Sequence, residues 1–349
     1  MTRVLVVGDP YYRAEAFARV FAARPWGERA RYTDVVEAGS FVPRSRSERA
    51  IREYIGTPEQ VIAQLEDDDV LVVHGAPVTD EVLEAGPYVR LICCARGGPV
   101  NVDMGAAAKR GIPVITTPGK NAESVADLTL GFMIMLARHV PRAARDVRGR
   151  GGIGDSTFDG SSYFGHELRG RTLGLVGYGL VGRAVARQAT GLGIITLTFD
   201  PFVAPETCEA DGVRPVDTLT ELLRASDVVS VHARATEQNE NLFDAERFAQ
   251  MKSGAWFINT ARETLVDEAA LLNALREERL GGAALDVLRP RRLRGRPGPL
   301  TQLENVIITP HIGGATHETL ARGASMIAEE IGRFTAGEPL RHIADPSLA

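Results

Sequence analysis

Three glycines stand in the run Val176-Gly177-Tyr178-Gly179-Leu180-Val181-Gly182, between an apolar stretch, Thr172 to Val176, and a segment of helical pattern. At this spacing Gly177 permits a tight turn, Gly179 lets backbone N–H groups approach a pyrophosphate, and Gly182 lets helix and strand pack closely, with the helix N-terminus facing the anion. The next apolar stretch, Ile194 to Phe199, ends in Asp200. That is roughly the 20-residue offset at which an acid accepts hydrogen bonds from the adenosine ribose hydroxyls. A carboxylate there repels a 2′-phosphate, and neither arginine nor lysine occurs in Pro201 to Glu206, so NAD is favoured over NADP. The earlier run Val4 to Gly8 lacks the second and third glycines and is expected to begin a sheet that binds no nucleotide.

Other polar residues follow apolar runs. Arg262 comes after Trp256 to Asn259, with Thr260 and Ala261 between, and its planar fork can clamp a carboxylate and polarise a carbonyl. The competing reading is an ion pair with Asp267 or Glu268. His311 follows Val306 to Thr309 and precedes Gly313-Gly314. An imidazole can act there as a reversible proton donor, or serve structure alone. After Arg90 to Cys94, the segment Arg96-Gly97-Gly98 offers successive N–H groups as a nest for a substrate carboxylate. Arg96 is expected to recognise a second anionic group, carboxylate, phosphate or phosphonate; the alternative is a solvent-facing side chain.

The elements that must position these residues are short strands. Val4 to Val7, Val70 to Val73, Arg90 to Cys94, Val114 to Thr116, Thr172 to Val176, Thr196 to Phe199, Val228 to Val231, Trp256 to Asn259 and Val306 to Thr309 alternate with helical patterns. This is the signature of an α/β chain with parallel sheets. Between Val140 and Gly170 the pattern lapses into Gly, Ser and Arg, which reads as a loop. The 349 residues, 44% hydrophobic, suffice for two domains. A net charge of -5 offers no basic field for nucleic acid or anionic membrane. Neither partner is expected, and no metal. Three cysteines form no disulfide framework, and Cys93-Cys94 lies in a buried apolar run. The short apolar run at the N-terminus is no signal peptide and nothing later reaches membrane-spanning length, so a reduced cytoplasm is expected.

Four further stretches carry a family likeness: Asn101-Val102-Asp103 to Gly111-Ile112-Pro113; Asn121-Ala122-Glu123-Ser124-Val125-Ala126-Asp127; Asn259 to Glu268 around Arg262; and Thr309-Pro310-His311-Ile312-Gly313-Gly314. With the glycine fingerprint, in this order, the chain resembles the D-isomer-specific 2-hydroxyacid dehydrogenases, phosphoglycerate dehydrogenase-like. The likeness covers nearly the whole chain. It implies two Rossmann-like domains with doubly wound parallel sheets, a NAD-binding domain at 121–316 inserted into a flavodoxin-like substrate-binding domain, 1–120 plus 317–349, with substrate in the cleft. It implies interconversion of a D-2-hydroxy acid and a 2-oxo acid by hydride transfer, with Arg262 as carboxylate clamp and His311 as acid/base. Asp286 would lie near the nicotinamide carboxamide, and His232 against the cofactor. Thr260, Ala261, Gly313 and Gly314 would line the same site. A homodimer is also implied, the apolar pattern from Ser124 to Ala137 contributing.

One part of the pattern is missing. The family's glutamate, about five positions after the Asp of Ala284-Leu285-Asp286-Val287, falls on Arg291, and the glycine expected after Arg262 is Glu263. A glutamate would support a protonated histidine, whereas an arginine opposes it. Glu263 could pair with Arg262 or stand in for the acid. The segment Arg289 to Pro299 allows three readings: a GC-rich gene read briefly out of frame; a genuine loop in an enzyme that supports its histidine otherwise, as the formate dehydrogenases do; or loss of catalysis, leaving a NAD-binding sensor or scaffold like the dehydrogenase-like corepressors.

Overall fold

Among the described residues, twelve strands build two all-parallel sheets. The first has the order β2-β1-β3-β4-β5, from β1 (Val4–Gly8), β2 (Ala30–Asp34), β3 (Val70–Val73), β4 (Leu91–Cys94) and β5 (Val114–Ile115). The second has the order β12-β11-β10-β9-β6-β7-β8. Its strands are β6 (Thr172–Val176), β7 (Ile195–Phe199), β8 (Arg214–Pro215), β9 (Val228–Val231), β10 (Ala255–Asn259), β11 (Leu280–Leu285) and β12 (Val306–Ile308). The computed structural model describes residues 2–36, 47–153, 159–289 and 298–345. It divides into two compact units, Met1–Lys120 with Thr316–Ala349, and Asn121–Ala315.

Both sheets are covered on both faces. In the first, Val4, Val6, Val70, Val72, Leu91 and Cys93 pack to one side and Leu5, Val7, Leu71, Val73, Ile92 and Cys94 to the other. In the second, Val176, Val229, Val231, Phe257 and Leu285 oppose Leu173, Leu175, Val228, Trp256 and Ile258. Burial on alternate faces explains why the strands read as continuous apolar runs. It also seals Cys93 and Cys94, both free thiols.

The structure differs from the sequence expectation in four places, the first being the unexpected two-residue strand β8 at the edge of the second sheet. β2 has a polar sequence, Ala-Arg-Tyr-Thr-Asp, because it is an edge strand, partly exposed along most of its length. β11, Leu-Gly-Gly-Ala-Ala-Leu, carries no β-branched residue. Crowding accounts for this: a Cβ on Gly282 would lie 2.7 Å from the carbonyl oxygen of Asn305, and one on Gly281 2.5 Å from that of Gly254. The expected loop from Val140 to Gly170 instead opens with a helix, Val140–Arg150, and has a 3-10 turn at Asp159–Tyr163. His139 adopts the left-handed region (φ 53°), breaking from the preceding helix Ala122–Ala137, and Pro141 in the first turn restarts a helix rich in arginine and alanine. Among the described residues no helix is long and apolar enough to cross a membrane.

Candidate active site

The second sheet reverses its strand order between β6 and β9, the place where open α/β sheets bind ligands beyond their carboxyl ends. Gly177 ends β6 in the left-handed half of backbone space (φ 100°), and a Cβ there would lie 2.6 Å from the Ala233 nitrogen, so only glycine fits. A Cβ on Gly182 would lie 2.3 Å from the Gly177 carbonyl oxygen. Gly179 is different: it caps the helix Leu180–Gly191, and a Cβ on it would meet nothing within 4 Å. That open space in front of a helix N-terminus is the cradle a pyrophosphate needs, and the residues present fit a dinucleotide.

Asp200 closes this turn. Its carboxylate accepts the Tyr178 N–H at 2.7 Å and the Phe202 N–H at 2.9 Å, which ties the fingerprint loop to the end of β7. The Tyr178 ring is buried, its hydroxyl donating to Asp211 at 3.0 Å, so Tyr178 offers the site its backbone rather than its side chain. Leu180 is exposed and Val181 half-buried beside the cradle.

His232 follows β9, its N–H donating to the Val176 carbonyl at 2.8 Å. Nε2 lies 2.9 Å from the Ser230 hydroxyl, and among the described residues Nδ1 has no hydrogen-bond partner. Burial pushes its pKa down to about 3, so the ring is neutral at ordinary pH and unsuited to donate a proton in turnover.

Arg262, Asp286 and His311 follow β10, β11 and β12 in turn. Asn259, buried at the end of β10, shapes the first turn: its side chain accepts the Ala261 N–H at 3.0 Å and donates to the Arg262 carbonyl at 2.9 Å. The exposed Arg262 guanidinium donates to the Ala261 carbonyl at 2.8 Å. Among the described residues it forms no ion pair, with Glu263, Asp267 or Glu268 or any other acid. Asp267 caps the next helix through the Ala269 and Ala270 N–H groups, and Glu268 accepts the Arg289 N–H at 2.7 Å. Thr260 is buried, 3.4 Å from the Thr129 hydroxyl.

Asp286 is 1% exposed and spends its whole carboxylate on the His311 turn. Oδ1 accepts from the Thr309 hydroxyl at 2.5 Å and the Ile312 N–H at 2.8 Å, and Oδ2 from the Gly313 N–H at 2.7 Å. The Asp286 N–H donates to the Asn259 carbonyl and its carbonyl accepts the His311 N–H. One hydrogen-bonded chain therefore links the three strand ends, although among the described residues no hydrogen bond or ion pair joins Arg262 to His311. His311 itself is exposed. Thr309 and Ser124, whose hydroxyl donates to the Gly313 carbonyl at 2.5 Å, support this turn; the sequence places both in the stretches that carry the family likeness but assigns neither a role. Gly314 follows, half-buried. Arg291 lies outside the described residues.

In the first unit Arg96 is not free. Its guanidinium donates to the Glu53 carbonyl at 2.7 Å and pairs with the Glu53 carboxylate. Its N–H is used by the Cys94 carbonyl, so the nest reduces to Gly97 and Gly98, whose N–H groups make no backbone bond among the described residues.

Residues 130–313 match the family described as D-isomer specific 2-hydroxyacid dehydrogenase, NAD binding domain. The chain belongs to the D-isomer specific 2-hydroxyacid dehydrogenase family. It is 35% identical to a D-3-phosphoglycerate dehydrogenase of Methanocaldococcus jannaschii over 83% of its own length and 54% of the relative's. The chain thus spans about half the length of the phosphoglycerate dehydrogenases it matches. It is also 38% identical to a glyoxylate reductase of Korarchaeum cryptofilum, over 80% of this chain and 83% of that one. The crystal structure of the TT0316 protein from Thermus thermophilus shares the fold with a TM-score of 0.78 and 31% identity, covering 98% of this chain and 100% of that chain.

Proposed function

We propose that this protein is a NAD-dependent oxidoreductase interconverting a D-2-hydroxy acid and a 2-oxo acid. The observation that carries the reading is the placement of Arg262, Asp286 and His311 at the carboxyl ends of three adjacent strands, in the unit that also holds the glycine cradle and Asp200. Bound NADH supplies the hydride. Arg262, unpaired and exposed, clamps the substrate carboxylate and polarises the carbonyl. His311 gives the carbonyl oxygen its proton, and Asp286 positions His311 through the turn it holds. Gly179 would leave room for the cofactor's pyrophosphate, while Gly177, Gly182 and Gly313 let the turns around it close; Asp200 would meet its ribose, and His232, neutral, would lie against it.

A di-anionic substrate is the finer reading, supported by the phosphoglycerate dehydrogenases among the relatives. Arg96, Gly97 and Gly98 are the residues proposed for its anionic groups, with Arg96 already partly neutralised by Glu53. A homodimer is supported by the helix Val140–Arg150, none of whose residues is buried in its own unit, and by exposed Ile134, Val140, Val147, Ile153 and Phe164 around it. A cytoplasmic location fits the three free cysteines.

The test is NADH oxidation by purified protein against mono-anionic and di-anionic 2-oxo acids, with NADH binding measured in parallel. Turnover that is lost in Arg262→Ala supports the reading. Tight NADH binding without turnover on any substrate overturns it in favour of a NAD-binding sensor.

A further inference from the structure

Tyr178 stands between the first two glycines of the cradle, where a chain meets a pyrophosphate with its backbone. Its side chain is nevertheless a large ring, fully buried, and aspartates hold the residue at both ends. The N–H donates to Asp200 Oδ2 at 2.7 Å, and the phenol donates to Asp211 Oδ2 at 3.0 Å. Burial, reinforced by Asp211, pushes the pKa of the phenol up, so it stays a donor at any ordinary pH.

Asp211 is in turn fixed from the cradle helix. Arg183 grips its carboxylate, Nε donating to Oδ2 at 3.0 Å and Nη2 to Oδ1 at 3.4 Å. The Arg183 N–H donates to the Gly179 carbonyl at 3.0 Å, at the start of the helix Leu180–Gly191. The bonds close a circuit: from Gly179 through Arg183 and Asp211 to the Tyr178 ring, and along the backbone to Gly179 again. Inside the circuit the ring lies against the third glycine, where a Cβ on Gly182 would sit 3.8 Å from Tyr178 Cδ2.

Asp200 and Asp211 bracket the short helix Pro205–Ala210. Its Cys208 is buried near both, since each carboxylate adds to the rise that burial gives the thiol pKa. The Arg183 and Asp211 side chains are 46% and 35% exposed, a setting in which an ion pair contributes little to stability. Its effect is to hold Oδ2 toward the phenol. Without that anchor the Tyr178 ring and its N–H are free to shift, and Asp200 then keeps only the Phe202 N–H, on Oδ1 at 2.9 Å.

We infer that Asp211 is a positioning residue of the dinucleotide site: through the Tyr178 hydroxyl it fixes the loop of the glycine cradle and the orientation of the Asp200 carboxylate, with Arg183 holding Asp211 in place. The inference rests on the placement of NAD at the cradle and not on the reaction or its substrate. Every group involved lies in the second unit.

The experiment measures, on the full chain, the Kd of NADH and of ADP-ribose, which carries the ribose and pyrophosphate without the nicotinamide, together with Tm. Tyr178→Phe keeps the ring and removes one hydroxyl; Asp211→Ala removes its acceptor. Each is expected to raise both Kd values about fivefold, as for the loss of one hydrogen bond, while Tm falls by less than about 3 °C. The double variant should lose no more than either single one, because a single bond is shared. Asp211→Asn, whose amide oxygen still accepts from the phenol, should stay within about twofold of wild type. Unchanged Kd values in Tyr178→Phe, additive losses in the double variant, or no rescue by Asp211→Asn overturns the inference. Gly179→Val separates it from the cofactor reading. If that variant loses affinity and Tyr178→Phe does not, the role of Asp211 alone falls. If wild type binds neither ligand, or Gly179→Val binds as wild type does, the dinucleotide is not at the cradle and both fall.

Discussion

The His311 N–H donates to the Asp286 carbonyl at 2.9 Å, while the Asp286 carboxylate binds the two N–H groups that follow His311. Histidine here occupies the left-handed region (φ 57°), a conformation that few side chains adopt without outside support. Asp286 supplies that support from the strand next door.

Asp286→Asn should therefore act on His311 rather than on the cofactor cradle. The amide replaces a carboxylate oxygen with a donor facing N–H groups, leaving at least one buried bond unmade at a cost of roughly 1–3 kcal/mol. The expected outcome is a kcat lowered about a hundredfold with a change in NADH Kd below about threefold. Stopped-flow turnover and calorimetry on the same preparation check the split. Equal loss in kcat and NADH affinity would place Asp286 at the cofactor instead.

The glycines of the cradle separate folding from binding. Gly177→Ala forces a Cβ to 2.6 Å from the Ala233 nitrogen in a residue at φ 100°, and is expected to lower stability by several kcal/mol, read as a lower Tm. Gly179→Val places its side chain in open space, so Tm should change little. The same side chain fills the room for the pyrophosphate, and NADH affinity should fall about tenfold or more. Differential scanning calorimetry and NADH titration of the two variants give opposite patterns if the cradle is the cofactor site.

Asp200 is proposed to set the choice of cofactor by charge. Asp200→Ala removes both the acceptor for the ribose hydroxyls and the repulsion of a 2′-phosphate, so NADH affinity should fall by about tenfold while NADPH affinity holds or rises. The ratio of kcat/KM values for NADPH and NADH measures this, and an unchanged ratio refutes it. A modest Tm loss should accompany it, since the Tyr178 and Phe202 N–H groups lose their acceptor.

How much of this was legible depends on whether a signal is local. The cradle was, because a turn that excludes Cβ atoms leaves glycines at fixed positions, and because the second strand ends in its acid close by. β-branched strands buried on both faces were equally plain. β11 was hidden, since its close neighbours demand Gly and Ala, and the helix Val140–Arg150 was hidden because no face of it is buried. Arg262 and His311 were recognisable through the family likeness, but not the Asp286 carboxylate as the holder of the His311 turn, which depends on the register of β11 against β12. Asp9 and His74, 65 residues apart, meet only because β1 and β3 are neighbours. The burial of Lys120 beside Tyr12 depends in the same way on long-range packing.

Lys120 also leaves a mark on stability. Its pKa in the folded protein is about 8, against 10.5 for the free side chain. The folded state thus binds the proton less tightly than the unfolded chain does. Below about pH 8 the buried ammonium destabilises the fold by its full amount, a shift worth roughly 3 kcal/mol. Between about pH 8 and 10.5 the unfolded chain holds the extra proton, so this contribution is relieved as pH rises. Lys120→Met keeps the length of the stem and removes the charge. It is expected to raise the denaturation midpoint in urea at pH 7, with a gain that shrinks toward pH 10. A variant less stable than wild type at pH 7 would mean that the contact of the ammonium with the Tyr12 ring outweighs the cost of its burial.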